Sequence, residues 1–255
     1  MPFSVLLITA ASGLIVGSFL NVCIYRLPRR ESLNWPSSHC TACNRPLAWY
    51  ENVPIVSWLA LRGRCRTCGA AVSVMYPLVE LVTAVVFVGS VLVYGVTLLM
   101  VVRMVFACAL IVLFAIDLRH RILPNVITLP GIVAGFAASL FLPPGWVSSL
   151  IGLLAGGGVL FAIAEVYYRT RGREGLGMGD VKMLAMIGAF LGWPHMLLSL
   201  IIASLSGSVI GVALIVSGRG GMQAALPFGT FLALGALVAA VAGDAMLAWY
   251  ISLYR

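Results

Sequence analysis

Apolar residues in this chain come in long blocks separated by short polar breaks. The blocks cover residues 5–24, 77–93, 96–116, 123–142, 146–167, 181–193, 196–216 and 227–250. Most approach the ~20 residues that a helix needs to cross the hydrocarbon core of a bilayer. The sixth is the shortest, because its run is brief before "GWPH". The pattern predicts an all-α polytopic membrane protein with about eight transmembrane helices.

A single long polar interval, from Pro28 to Ser73, separates the first block from the second and has room for one small module. The first block has no basic residue before it and no small-residue cleavage site after it, so it reads as a retained span that anchors the loop. Other connections, such as "YG" at Tyr94 and Gly95, "PPG" at Pro143 to Gly145 and "PH" at Pro194 and His195, leave no space for a second soluble domain. No low-complexity tract and no clear internal repeat stands out.

Composition agrees with the blocks: 62% of residues are hydrophobic, 9% are charged, and the mean hydropathy is +1.07. An ordinary soluble domain is apolar over about half its residues. The net charge of +8 does not point to nucleic acid, because the basic residues form short clusters beside apolar runs, not a stripe with interleaved aromatics. They read as topology signals. With the amino terminus outside, fourteen of the sixteen Lys and Arg fall on one side, all but Arg103 and Arg255. The positive-inside rule makes that side cytoplasmic, with the polar loop and the chemistry facing the cytoplasm.

Within the loop, Cys40, Cys43, Cys65 and Cys68 form two Cys-x-x-Cys pairs. Each pair makes a turn that aims two thiolates at one point, and two such turns suit a tetrahedral ion. Two disulfides are the alternative. The inferred reducing compartment favours zinc or a related thiophilic metal, in a structural role, since four thiolates leave no open position for water. Cys23 and Cys108 lie in apolar runs and read as small buried hydrophobes. His39 reads as an exposed loop residue.

Two aspartates sit at the cytoplasmic ends of spans: Asp117 closes the third block and Asp180 opens the sixth, in "GMGDVK". Each alone has an ordinary explanation, pairing with Arg119 or Arg121 for the first and helix capping for the second. At one membrane depth, and with the third and sixth spans side by side, the two carboxyls share a proton and do aspartic protease chemistry. Gly175, Gly177 and Gly179 let the backbone approach an extended substrate closely. "GLGMG" lacks the Lys-Ser/Thr ending of a phosphate loop, which excludes nucleotide binding there. Asp244 lies in the last block near its outer end, away from the pair by topology, and Glu165 lies near the cytoplasmic end of the fifth block.

Six ordered motifs, "GSFLNVCIYRLPR", the tetracysteine loop with "PIVSWLALRGRCRTCG", "YPLVELVTA", "AIDLRHRILPN", "GMGDVKMLAMIGAFLGW" and "LPFGTFLALGA", resemble the prepilin peptidase family, also called type IV leader peptidases, among the G-x-G-D membrane aspartic proteases. The resemblance implies cleavage of the leader from type IV prepilins or type II secretion pseudopilins, with Asp117 and Asp180 as the catalytic pair. It also implies methylation of the new amino terminus with S-adenosylmethionine in members that keep the tetracysteine loop. Glu80, in "YPLVE", is the candidate for an auxiliary role in methyl transfer; Glu51 is the other loop carboxylate. Met75 stands where the family commonly has arginine, so peptidase activity with weak or absent methylation is one alternative. A transporter with a zinc-sensing loop is another. The expected division is residues 1–25 as first span, 26–75 as zinc-binding, methyltransferase-associated loop, and 76–255 as a seven-helix peptidase domain. The expected partners are membrane lipid and the prepilin, with no nucleic acid.

Overall fold

The computed structural model describes residues 1–172, 177–218 and 226–254. Gly175, Arg173, Arg219 and Arg255 of the sequence reading lie outside the described residues. Among the described residues the chain is helical apart from turns and two isolated bridges. It divides into two compact units, Met1–Val112 and Leu113–Arg255.

In the first unit, α1 (Phe3–Arg26) packs antiparallel on α3 (Met75–Tyr94). Glycine sets the spacing. A Cβ on Gly13 would lie 2.6 Å from Ala84 Cα, and one on Gly17 the same distance from Glu80 Cα. Small residues four apart are a standard way to bring membrane helices into close contact. Phe87 and Val91 meet Met104 of α4 (Leu98–His120) to form a small core. Between α1 and α3 the loop carries a short helix, α2 (Val56–Ala60), and the cysteine centre.

The second unit holds the end of α4, then α5 (Asn125–Ser139), α6 (Trp146–Arg171), α7 (Met178–Val216) and α8 (Phe228–Ser252). Leu113, Ile116, Met183, Leu184, Ile187 and Leu232 fill its core. Outward faces stay apolar, with Leu154, Phe161, Val209 and Val241 exposed, which suits lipid and not water.

α7 runs 39 residues, roughly 58 Å at 1.5 Å per residue and about twice the hydrocarbon thickness. It is not one rod. Gly192 takes φ 77°, ψ 172° inside it. The starts of α7 and α8 both meet Leu123, since a Cβ on Gly179 or on Gly229 would lie 2.9 Å from it. Farther on, Gly235 of α8 faces Ser199 and Ala203, and Gly243 faces His195, so residues 193–216 run antiparallel to α8 and back toward Leu123. The chain therefore reverses between Gly192 and His195. Residues 178–191 and 193–216 form a hairpin, corresponding to the sixth and seventh blocks.

Among the described residues six helices are long and apolar enough to cross a membrane, so this is a multi-pass membrane protein. The fourth block differs from expectation: α5 has 15 residues, roughly 22 Å, short of a full span. Pro124 sets where it can start, and the chain turns at Leu140 to Leu142 before the next helix. The sequence reading drew that block to twenty residues by counting the turn with the helix.

Candidate active site and cysteine centre

Asp117 lies in the last turn of α4, which ends where Arg121 adopts φ 54° and returns its N–H to the Asp117 carbonyl at 2.9 Å. A carboxylate near the negative end of its own helix is poorly placed. Another helix compensates. Oδ2 of Asp117 accepts the backbone N–H of Thr230 at 2.7 Å and the Thr230 hydroxyl at 3.0 Å. Thr230 sits in the first turn of α8, where helix N–H groups lack the usual partner four residues back, and its N–H also reaches the Pro227 carbonyl at 3.2 Å. The alternative pairing is not formed: among the described residues no ion pair joins Asp117 to Arg119 or Arg121.

Asp180 lies in the first turn of α7, with its own N–H bonded to the Gly177 carbonyl at 3.0 Å. It is partly buried, Asp117 is buried, and the two carboxylates are near enough for their charges to interact. Asp117 is thus docked on the start of α8 and Asp180 opens α7, and both helix starts lie against Leu123. Gly179 admits Leu123, while a side chain on Gly177 would make ordinary contact with Asp180 Oδ2 at 3.4 Å. Lys182 Nζ donates to Asn125 Oδ1 at 3.0 Å and ties the start of α7 to the start of α5.

The four loop thiols converge. Their Sγ atoms all lie within 4.8 Å of one another, with Cys40 and Cys68 at 3.8 Å. A disulfide requires ~2.05 Å. A tetrahedron with zinc–sulfur bonds of ~2.3 Å has sulfur edges of ~3.8 Å. The donor set therefore fits a zinc ion and excludes the disulfide alternative in this arrangement.

The two Cys-x-x-Cys turns repeat one another. Cys40 and Cys65 each accept an N–H from four residues on, Asn44 at 2.9 Å and Gly69 at 3.0 Å, and each donates to the carbonyl five residues on. Asn44 (φ 56°) and Gly69 (φ 70°) are both left-handed there. Asn and Gly are the residues that tolerate that conformation. The repeat is visible as Cys-x-x-Cys-Asn and Cys-x-x-Cys-Gly, a signal the sequence reading passed over. Inside the second turn the N–H groups of Cys68 and then Thr67 point at the Cys65 sulfur and pull its thiol down to about 6.

Glu51 is buried and bonded to Arg45 at 2.7 Å and to the Ala48 N–H at 2.9 Å. Arg45, and then that N–H, hold its carboxyl below the usual range. Glu80 of α3 is buried, and its Oε2 accepts the Ile55 N–H at 2.8 Å. Met75 opens α3 with its N–H on Ser73 Oγ at 3.2 Å. Of the remaining acids, Glu165 pairs with exposed Arg169 at 2.6 Å and Asp244 with His195 at 3.2 Å. Cys23 is buried and Cys108 half-buried, as expected of small hydrophobes.

Thr230 and Gly229 were missed as site residues although "LPFGTF" was noticed. A Gly-Thr opening a helix is too common to suggest that an aspartate 113 residues earlier would dock on it.

Two family models match the chain, the bacterial peptidase A24 N-terminal domain over residues 11–94 and the type IV leader peptidase family over residues 104–212. Among curated relatives, a prepilin leader peptidase/N-methyltransferase of Myxococcus xanthus is 44% identical over 82% of this chain, which spans 63% of that relative's length. Relatives of the same name from Aeromonas salmonicida (37% identity, 94% of this chain and 91% of theirs) and Pseudomonas aeruginosa (33%, 98% and 94%) align nearly end to end. No solved structure matches.

Proposed function

The chain belongs to the type IV leader peptidase family, and from that premise we propose that it removes the leader of type IV prepilins or type II secretion pseudopilins and N-methylates the new amino terminus. Asp117 and Asp180 are the catalytic pair of the cleavage. The observation that carries this is their placement: acids 63 positions apart in the chain lie at the starts of α8 and α7, two helix ends that both contact Leu123, near enough for their charges to interact.

In the cleavage, one carboxylate takes a proton from a water held between the pair as the water oxygen attacks the scissile carbonyl carbon. The other carboxyl gives its proton to the carbonyl oxygen. Collapse of the tetrahedral intermediate breaks the carbon–nitrogen bond, and the leaving amine takes up a proton. The site lies at helix ends, the depth of a prepilin whose basic leader stays in the cytoplasm while its apolar helix lies in the inner membrane.

Residues 26–75 form the methyl-transfer region. Cys40, Cys43, Cys65 and Cys68 hold zinc, which closes a loop too small to bury much apolar surface. S-adenosylmethionine supplies the methyl group. The exposed rings of Trp49 and Tyr50, edge to face at 5.7 Å, and Arg66, 5.8 Å from the Tyr50 centroid, offer an adenine and a carboxylate suitable contacts. Glu80 acts as an auxiliary by positioning the Pro54–Ile55 segment. Residues 76–255 are the peptidase domain.

The test is mass spectrometry of a co-expressed prepilin, read for leader loss and a methyl increment. Asp117→Asn and Asp180→Asn each abolish leader loss, yet each enzyme still methylates a pilin that was cleaved beforehand. Retained cleavage in either variant, or equal loss of both activities, counts against this reading. A transporter or a docking module would leave the prepilin uncut in the unmodified protein.

A further inference from the structure

The turn that opens α8, Pro227 to Thr230, grips one oxygen of Asp117 from two atoms of a single residue. Thr230 donates its N–H and its hydroxyl to the same Oδ2, and both side chains are buried. Gly229 makes room. A Cβ there would lie 3.0 Å from Oδ2 and 2.9 Å from Leu123 Cδ1, so the carboxylate reaches the helix end because residue 229 has no side chain.

Threonine hydroxyls such as those of Thr9, Thr83 and Thr170 turn inward on their own helix, to Val5, Val79 and Val166, each the carbonyl four residues back, while Ser149 crosses only to a backbone carbonyl, that of Ala189. The inward turn is the usual local habit of Ser and Thr within helices. Thr230 instead reaches across 113 residues.

Resting on the reading that Asp117 and Asp180 hydrolyse the leader bond, we propose that Thr230 is a positioning residue for that reaction. It pins Oδ2 of Asp117 on the first turn of α8 and so dedicates Oδ1 to the water and the scissile peptide. The terminal torsion of an aspartate is broad and nearly two-fold. With the backbone N–H alone the carboxylate can rock about that bond and exchange its oxygens. Two donors converging on one oxygen fix the plane. A hydroxyl bonded to an ionised group is among the stronger hydrogen bonds, and more so away from water. Thr230 touches no reacting atom and acts through Asp117.

The experiment uses the full-length protein in lipid nanodiscs with purified prepilin and steady-state kinetics. Thr230→Val keeps shape and the backbone N–H but removes the hydroxyl; kcat falls roughly tenfold or more, as for loss of one hydrogen bond to a charged group. KM stays within about twofold, since the lost interaction serves the transition state and not substrate binding. Thr230→Ser restores kcat to within about threefold of the unmodified enzyme. Thermal melting of each variant separates misfolding from misplacement, and Thr230→Ala replaces the valine variant if that one does not fold.

Unchanged kcat in the folded hydroxyl-free variant overturns the proposal, as does a serine variant no better than the valine one. Asp117→Asn and Asp180→Asn are run beside them. If either still cleaves, the underlying reading fails; if both are inactive while the hydroxyl-free variant is fully active, the role of Thr230 alone fails.

Discussion

Glu80, in the second turn of α3, accepts the amide hydrogen of Ile55 at 2.8 Å, and Ile55 itself sits at φ 59°. A β-branched residue in that region is strained by about 1–3 kcal/mol and persists where its surroundings hold it. A buried carboxylate accepting one N–H is worth ~1.5–3 kcal/mol, enough to offset the strain. Gly17 gives α1 access to the backbone of Glu80, so the acid is fixed from the helix side as well.

Glu80→Ala therefore frees the segment around Ile55 and lowers its local stability by about 1.5–3 kcal/mol. Glu80→Gln, which keeps an acceptor, loses less. The expected outcome for the alanine variant is faster hydrogen exchange over residues 54–60 and weaker methylation, with leader cleavage retained. Unchanged exchange and methylation together would remove Glu80 from the methyl-transfer half.

The Cys65 thiol, drawn down to about 6 by the Cys68 and Thr67 N–H groups from an ordinary value of 9.0, is a thiolate at neutral pH. Because the folded value is the lower one, its contribution to stability is present above the ordinary thiol range and is lost as pH falls through about 6. In chelator-stripped protein, alkylation of Cys65 followed by mass spectrometry should rise with a midpoint near that pH. A midpoint in the ordinary thiol range would contradict the arrangement of the turn. Stripping the metal should also lower the melting temperature, since the four thiolates then lose the ion that closes the loop.

Gly152 of α6 lies against the backbone of the α7 hairpin: a Cβ there would sit 2.7 Å from the Gly188 oxygen and 2.8 Å from Gly192 C. The hydroxyl of Ser149, one turn earlier, donates to the Ala189 carbonyl at 2.7 Å. Gly152→Val must separate the helices, costing about 1–3 kcal/mol or more. Because the first half of the hairpin carries Asp180, cleavage should fall with it. Gly158→Ala, in the same helix where nothing lies within 4 Å, is the control and should stay within about 0.5 kcal/mol. Equal melting temperatures for the two variants would refute the packing argument.

Several features were legible without coordinates because their physics is local. A run of apolar residues long enough to span a bilayer announces a helix by itself, and two Cys-x-x-Cys turns announce the convergence of their four thiols through their spacing. Asp117 and Asp180 were conspicuous because a charge beside an apolar run is costly. The extent of α5 was less legible. Apolar content does not distinguish the turn after Ser139 from helix, and where the helix stops depends on what the neighbouring helices offer as packing surface, whereas the break between the sixth and seventh blocks was marked locally by the residues around Gly192 and Pro194.

The amino-acid order alone determined that the chain spans a membrane repeatedly, that four thiols gather in one loop, and which two acids stand at helix ends, since each follows from transfer free energy or ligand spacing within a short window. Which groups those acids lean on was decided by the tertiary structure: Thr230 on Asp117, Ile55 on Glu80, Leu123 between the two helix starts. Such pairings join residues 25 to 113 positions apart, and a hydrogen bond across that separation exists only once the helices have packed and brought donor and acceptor within about 3 Å.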